Sequence, residues 1–448
     1  MVSKAPDIEE IKEAVYIINK DSAASPDGFS SLFYQYSWDI IKLDLLDAIL
    51  DFFNGREIPT GITLTSIALI PKKAEAKEYK EFRPIRRNIG DNILLAQELI
   101  QNIDRKTRGG NMVLKLDMAK AYGNSFIRGL NNLFSSNVDL HFRYGGGIPI
   151  SHLAFADDIV IFTNGQKTSL NKIMRFISLY TVNSGQAINC NKSSFTTRKE
   201  AHRKVIADNT GFQYQSLPMI YLGVPLYKGH KKAALFDDLI SKIKRRILGW
   251  EHRWFSASGR ITLIKHVLSS MPIHLLQILD PLIGIINKIS RMFNNFIWGD
   301  SSQTKKIRWA SWENICCPVE EGGIGCQSLS DLNIAFDCKL WWKFREQKSL
   351  WSQVLLAKCC RTSHASVVNH SYQDSGIWRR MVKARKLTEP HIAWRIGEGK
   401  INFKHDVWLK SGIVQGRLKQ DMPQDKLVLD FRNNNEWNTI SLNSILPA

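Results

Sequence analysis

Asp157 and Asp158 stand side by side in a run that is otherwise apolar, aromatic and β-branched. Ser151–Phe162 reads Ser-His-Leu-Ala-Phe-Ala-Asp-Asp-Ile-Val-Ile-Phe. Such a run reads as two strands bent at their polar centre. Burying one ionised carboxylate is costly, and an adjacent second one adds repulsion. Either the pair lies in a wet turn, where Asp is at home, or a cation compensates it. Hard divalent ions such as Mg²⁺ take carboxylate oxygens. A third acid, Asp117, closes the strand-like Val113–Leu116 and precedes a segment from Met118 that suits a helix start. An acid at a strand's carboxyl end, just before a helix, is where α/β sites collect ligands. The plain alternative for Asp117 is a helix N-cap. One lone Asp and one Asp pair are the equipment for holding two Mg²⁺ ions about 3.5–4 Å apart, which stabilise both oxygens of an in-line displacement at phosphorus.

Other elements must bring these acids together. If the Asp117 strand runs parallel to its partner, a crossover of a dozen or more residues is required. The interval to Asp157 supplies a helix over Ser125–Phe134, a polar loop, a Gly145-Gly146-Gly147 turn and the first hairpin strand. After the hairpin, Leu170, Ile173, Met174, Ile177 and Tyr180 recur at helical spacing and predict a core-facing helix. Upstream, Ile8, Ile11, Val15 and Ile18 predict a helix after Pro6, and Ser25-Pro26-Asp27-Gly28 is a turn signature. Phe33, Tyr36, Ile40, Leu45, Ile49 and Phe52 predict a second helix stopped at Asn54-Gly55. Thr63–Ile70 reads as a strand before a charged loop. Tyr221–Leu226 reads as a short sheet-edge strand broken by Gly223 and Pro225.

The motifs Leu114-Lys115-Leu116-Asp117-Met118-Ala119-Lys120-Ala121-Tyr122 and Phe155-Ala156-Asp157-Asp158 resemble the two metal-binding motifs of the reverse transcriptase domain of plant LINE-type (non-LTR) retrotransposons. The resemblance continues through Ser25-Pro26-Asp27-Gly28-Phe29, Leu69-Ile70-Pro71-Lys72, Phe82-Arg83-Pro84-Ile85, Asn189-Cys190-Asn191-Lys192-Ser193 and Tyr221-Leu222-Gly223-Val224-Pro225-Leu226, and covers roughly residues 5–410. It implies an α+β right-hand polymerase followed by a helical thumb and a connection region. On this division a shortened fingers-like region spans 1–110 and a shortened palm 111–228. The thumb spans 229–300, a Trp-rich connection 301–414, and a polar, poorly ordered tail 415–448. The implied catalytic and metal-binding residues are Asp117, Asp157 and Asp158, holding two Mg²⁺ ions, with Mn²⁺ able to replace them. Lys72 and Arg83 are implied to meet the nucleotide or template, and Tyr221, Leu222 and Gly223 the primer end. The implied partners are an RNA template, a DNA primer and deoxynucleoside triphosphates.

The chain departs from the family pattern at two places. Phe82-Arg83-Pro84-Ile85 runs straight into Arg86-Arg87-Asn88-Ile89, where relatives carry a long helical stretch between. After Ala121-Tyr122 the family continues with an Asp, but this chain has Gly123, and the Gly-rich motif that seats the nucleotide in relatives is missing. Three readings follow: an RNA-directed DNA polymerase domain, a catalytically inactive nucleic-acid-binding remnant, or a non-functional decayed element copy that folds poorly.

Composition agrees with a nucleic-acid partner. Over 448 residues, Lys plus Arg number 61 against 42 Asp plus Glu, a net charge of +19. Such an excess suits a polyanion. In the expected thumb, Lys242, Lys244, Arg245 and Arg246 crowd beside an apolar face of Leu239, Ile240, Ile243 and Ile247 and could track a phosphate backbone; the alternative is a solvated helix face. The Trp residues at 309, 312, 341, 342, 351, 378, 394 and 408 read first as core, and second as platforms for single-stranded bases. No secretory apolar segment and no run near ~20 apolar residues is seen, so a nuclear or cytoplasmic protein with no membrane partner is expected. The seven cysteines contain no Cys-x-x-Cys and predict reduced thiols.

Overall fold

A computed structural model describes residues 7–17, 35, 37–53, 68–71, 82–85, 89–118, 124–145, 147–155, 158–251, 255–299, 307–361, 363–372, 374–409, 412–414, 418–419, 423, 426–433 and 436–446. The chain divides into two compact units, Met1–Arg87 and Asn88–Ala448. In the first, α1 (Ile8–Ile17) packs on α2 (Trp38–Phe53). Ile11 and Trp38 are buried between them, and Tyr16 meets Trp38 edge-on. β1 (Ala68–Pro71) and β2 (Phe82–Ile85) form an antiparallel ribbon in which Arg83 lies opposite Ile70.

The second unit is built on a five-stranded sheet. Its members in chain order are β3 (Asn111–Asp117), β4 (His152–Phe155), β5 (Asp158–Asn164), β6 (Ser194–Thr197) and β7 (Gln213–Tyr214). Their spatial order is β4-β5-β3-β6-β7. The β4–β5 hairpin expected around the Asp pair is present, with Phe155 opposite Asp158. The expectation of a parallel partner for the Asp117 strand is corrected: β3 pairs antiparallel with both β5 and β6. A helix start at Met118 is corrected too, because Met118 continues the extended backbone and bridges Ile188.

Alternation along the strands divides two cores. Met112, Leu114, Leu116, Ile159 and Ile161 point into one, covered by α4 (Asn124–Ser136), α5 (Lys167–Ser184) and α6 (Glu200–Thr210) through Phe126, Leu130, Ile173 and Ile206. Val113, Val160 and Phe162 point into the other. That second core begins at α3 (Ile89–Ile100), whose residues from Ile93 to Ile100 are all buried. It continues through a small hairpin of β8 (Met219–Tyr221) and β9 (Val224–Leu226), then α7 (Asp237–Glu251), α8 (Ala257–Leu263), α9 (Ile273–Leu276) and α10 (Ile283–Trp298). It ends among α11 (Trp312–Cys316), α12 (Leu329–Glu346), α13 (Leu350–Cys359) and α14 (Gly376–Thr388). Trp341, Trp351 and Trp378 are fully buried there, whereas Trp309 is 80% exposed.

Tyr221–Leu226 is therefore a separate hairpin rather than an edge strand of the main sheet. Leu222 and Gly223 make its turn at φ 50 and 80°, where only a residue tolerant of left-handed backbone can stand. Among the described residues of the tail after 415, some enter a small core. Val428 and Phe431 pack on Phe403 and Val414, joined by Leu442, Ile445 and Leu446, which include the last turn of α15 (Thr439–Ile445). Sparse apolar residues suffice because the 396–414 segment supplies the rest of this satellite core.

A buried polar knot joins α12 to that segment. Arg345 reaches Glu389 at 2.8 Å and also pairs with Asp406. His364 Nε2 lies 3.4 Å from Asp406 Oδ1, and its ring stacks on His405. Burial, then the Arg345 guanidinium, pushes the His364 pKa down to about 4, against the pull of Asp406. An unfolded His titrates near ~6.5. The stability this neutral imidazole contributes is complete above that value and is lost as pH falls toward 4. Urea unfolding midpoints should fall over that window, and His364→Gln should flatten the fall relative to wild type; parallel profiles for the two proteins would refute the assignment.

Candidate metal-binding carboxylate site

Asp117 ends β3 and Asp158 begins β5, and the antiparallel register sets them directly opposite one another. Opposed Cα atoms in such a pair are about 4.5–5.5 Å apart. Two like charges so placed repel. Both are only partly exposed, their side chains at 19% and 31%. Each has a cation nearby. Lys192 Nζ lies 3.7 Å from Asp117 Oδ2, and Lys115 Nζ lies 4.0 Å from Asp158 Oδ1. Lys115 shares a strand face with Asp117 because it stands two residues earlier. Its ammonium also donates to the Ile220 carbonyl at 2.9 Å, which ties the β8–β9 hairpin to the carboxylate end of the sheet.

The Asn189–Ser193 turn holds Asp117 from the other side. Its Asn189 N–H donates to the Asp117 carbonyl at 2.9 Å, and the Asp117 N–H donates to Ser193 Oγ at 3.1 Å. Ser193 is 1% exposed and leads into β6, whose Ser194 pairs with Lys115. These groups line a depression of about 500 Å³ with Asn191, Gln213 and Gln215. Oxygen and nitrogen donors dominate it, and among the described residues no thiol or imidazole lines it. That donor chemistry suits a hard cation.

Asp157 and Lys72 lie outside the described residues, and of Arg83 only the backbone is described. Among the described residues no cluster of three His, Cys, Asp or Glu side chains forms. The structure thus brings together Asp117 and Asp158 and sets the Tyr221–Gly223 hairpin beside them through Lys115. Tyr221 is fully buried, and the Leu222 carbonyl meets His274 Nε2 at 2.9 Å. Lys242, Lys244, Arg245 and Arg246 are exposed on α7, and none lines the depression. Lys242 pairs with Asp238 at 2.7 Å, and Arg246 lies over the Trp250 ring. Sequence reasoning assigned no role to Lys115, Lys192 or Ser193. Strand alternation could have found Lys115; nothing local pairs Ser193 with an amide 76 positions earlier. Among the described residues no helix is long and apolar enough to cross a membrane. All seven cysteines are free, and burial pushes the Cys316 and Cys360 thiols up to about 12.

No protein-family model matches the chain. Over 181 residues, 39% of the chain, it is 31% identical to a putative ribonuclease H protein of Arabidopsis thaliana, covering 29% of that protein. Over 421 aligned residues, 71% of the chain, it is 21% identical to the transposon TX1 uncharacterized 149 kDa protein of Xenopus laevis, covering 31% of it. An uncharacterized mitochondrial protein of Arabidopsis thaliana is 26% identical over 132 residues, 29% of the chain and 84% of that protein. The chain spans less than a third of the length of the first two relatives. It is thus related to a transposon protein over most of its own length.

Ser193→Ala should leave the Asp117 N–H without its acceptor and cost about 1–3 kcal/mol of stability. Lys192→Gln, at a side chain 72% exposed, should cost under about 1 kcal/mol. Urea denaturation of the two variants checks the order; equal costs would remove Ser193 from its holding role.

Proposed function

We propose that the chain carries the RNA-directed DNA polymerase domain of a LINE-type retroelement. The observation that supports this best is the direct opposition of Asp117 and Asp158 across the β3–β5 pair, on the strand face that bears Lys115. Asp117, Asp158 and the neighbouring Asp157 would hold Mg²⁺, or Mn²⁺ in its place. Two such ions would supply Lewis-acid stabilisation of charge on the oxygens around phosphorus. The chain's own groups do the positioning. Ser193 and Asn189 fix the Asp117 backbone, and Lys115 holds Asp158 against the hairpin that would seat the primer end. Lys192, mostly exposed, adds positive charge where a triphosphate would enter. Lys72 and Arg83 would meet the nucleotide or the RNA template, and Lys242, Lys244, Arg245 and Arg246 the nucleic-acid backbone. The similarity to a transposon protein and to one named a putative ribonuclease H supports chemistry on nucleic acid.

One observation favours a second reading. Gly123 stands where the family pattern has an Asp, and the nucleotide-seating motif is missing. Catalysis needs placed reactants as well as metals, and misplacement by about 1 Å can cost on the order of 10²-fold. A chain that binds nucleic acid without extending it would result.

Primer extension separates the two. The assay supplies an RNA template, a DNA primer, Mg²⁺ and all four deoxynucleoside triphosphates. Wild type should extend the primer, and Asp117→Asn, Asp158→Asn or chelation should abolish extension. No extension from wild-type protein that still binds the template–primer would sink the polymerase reading and leave the binding remnant.

A further inference from the structure

A second polar cavity, of about 310 Å³, lies away from the carboxylates, between the segment that follows β9 and the first turns of α14. Tyr227, Lys231, Asp280, Arg379, Arg380 and Lys383 line it. Its floor is fixed by α3. Gln97 Nε2 donates to the Tyr227 carbonyl at 2.8 Å and its Oε1 accepts the Tyr227 N–H at 3.1 Å. Gln101 repeats the arrangement, donating to the same carbonyl and accepting the Gly229 N–H. The opposite wall is the start of a 13-residue helix capped by Ser375, so its amino-terminal partial charge adds to the cations.

Arg380 is the informative side chain. It is 3% exposed. Its Nε is taken by Asp337, and its Nη2 donates to the Leu276 carbonyl at 2.8 Å and Asn333 Oδ1 at 3.3 Å. Among the described residues its buried Nη1 has no hydrogen-bond partner, and neither has the buried Nε of the adjacent Arg379. A buried guanidinium nitrogen left without an acceptor is costly. Lys231 is paired with Asp280, so among the described residues the cations Lys231, Arg379, Arg380 and Lys383 are set against two carboxylates, Asp280 and Asp337. Arg379 and Lys383, four residues apart, lie on one helix face. Burial pushes the Tyr227 phenol up to about 12, so it stays a neutral hydroxyl donor at physiological pH.

We propose that this cavity binds a phosphate group, held by the positive charge of Arg379, Lys383 and Arg380, which line it. A planar guanidinium fork matches phosphate geometry, and a helix amino terminus favours an anion. The phosphate can belong to a nucleic-acid backbone or be free in solution. This inference does not depend on the polymerase reading, because none of its residues lies at the carboxylates.

The test uses the whole chain, inorganic phosphate and a labelled single-stranded oligonucleotide. Phosphate should raise the wild-type melting temperature by on the order of 2 °C over chloride at equal ionic strength. The paired variant Arg379→Gln with Lys383→Gln, at positions outside the core, should lose that rise. Arg380→Lys should lose it as well while keeping a cation for Asp337. If the phosphate is a backbone phosphate, the slope of log affinity against log salt for the oligonucleotide should fall in the paired variant by about 1.4. A phosphate rise with an unchanged slope would still support the site and assign it to free phosphate. No phosphate rise in wild type would overturn the proposal even if the slope fell, because loss of charge anywhere on the surface lowers it.

Discussion

Two carboxylates facing each other across adjacent strands are an electrostatic liability that the surrounding structure has to offset. Asp117 and Asp158 cannot separate without breaking the β3–β5 register, and that register is set by the apolar residues on both sides of β3. A slip of one residue would turn Leu114 and Leu116 out of their core. The repulsion is therefore locked in by packing and eased by cations from two different directions. Lys115 comes from within the strand, and Lys192 from a turn 75 positions later in the chain. A structure that keeps this arrangement gains a place where positive charge is wanted, whether from an ammonium or from a metal ion.

The sheet also acts as a partition. One face is closed by α4, α5 and α6 in a local core, and the other opens into the long helical region. α3 lies in the second of these cores. It is buried along its whole second half, which includes Gln97 and Glu98, and Gln101 follows at its end. None is wasted. Glu98 pairs with Lys358 on α13, while the two glutamines hold the backbone at 227–229. Buried polar groups with such matched partners specify one docking geometry, which apolar contacts alone do not.

Much of this was legible in the residues. The hairpin around Asp157-Asp158 follows from its apolar flanks, and the helix at 167–184 follows from its spacing. The sense of pairing was not legible, since β3 looks the same to a parallel or an antiparallel neighbour. Local sequence records alternation but not the distant strand that completes it. The tail shows the same limit. Val428, Phe431 and Leu442 look too sparse to form a core until Phe403 and Val414 are placed beneath them. Arg380 gave no sign at all, because a basic helix reads as a solvated face until Asp337 and the Leu276 carbonyl are found against it.

The single core that runs from Ile93 to Ile392 has a mechanical consequence. Helices that clamp a ligand by swinging need an interface that can part cheaply. Here parting the helical region from the sheet would expose the faces of α3, Val113, Val160 and Phe162 together, at about 25 cal/mol for each Å² of apolar surface wetted. Packing therefore opposes any relative movement of the two. Anything seated against the sheet on this side would meet walls already in place rather than walls that close around it.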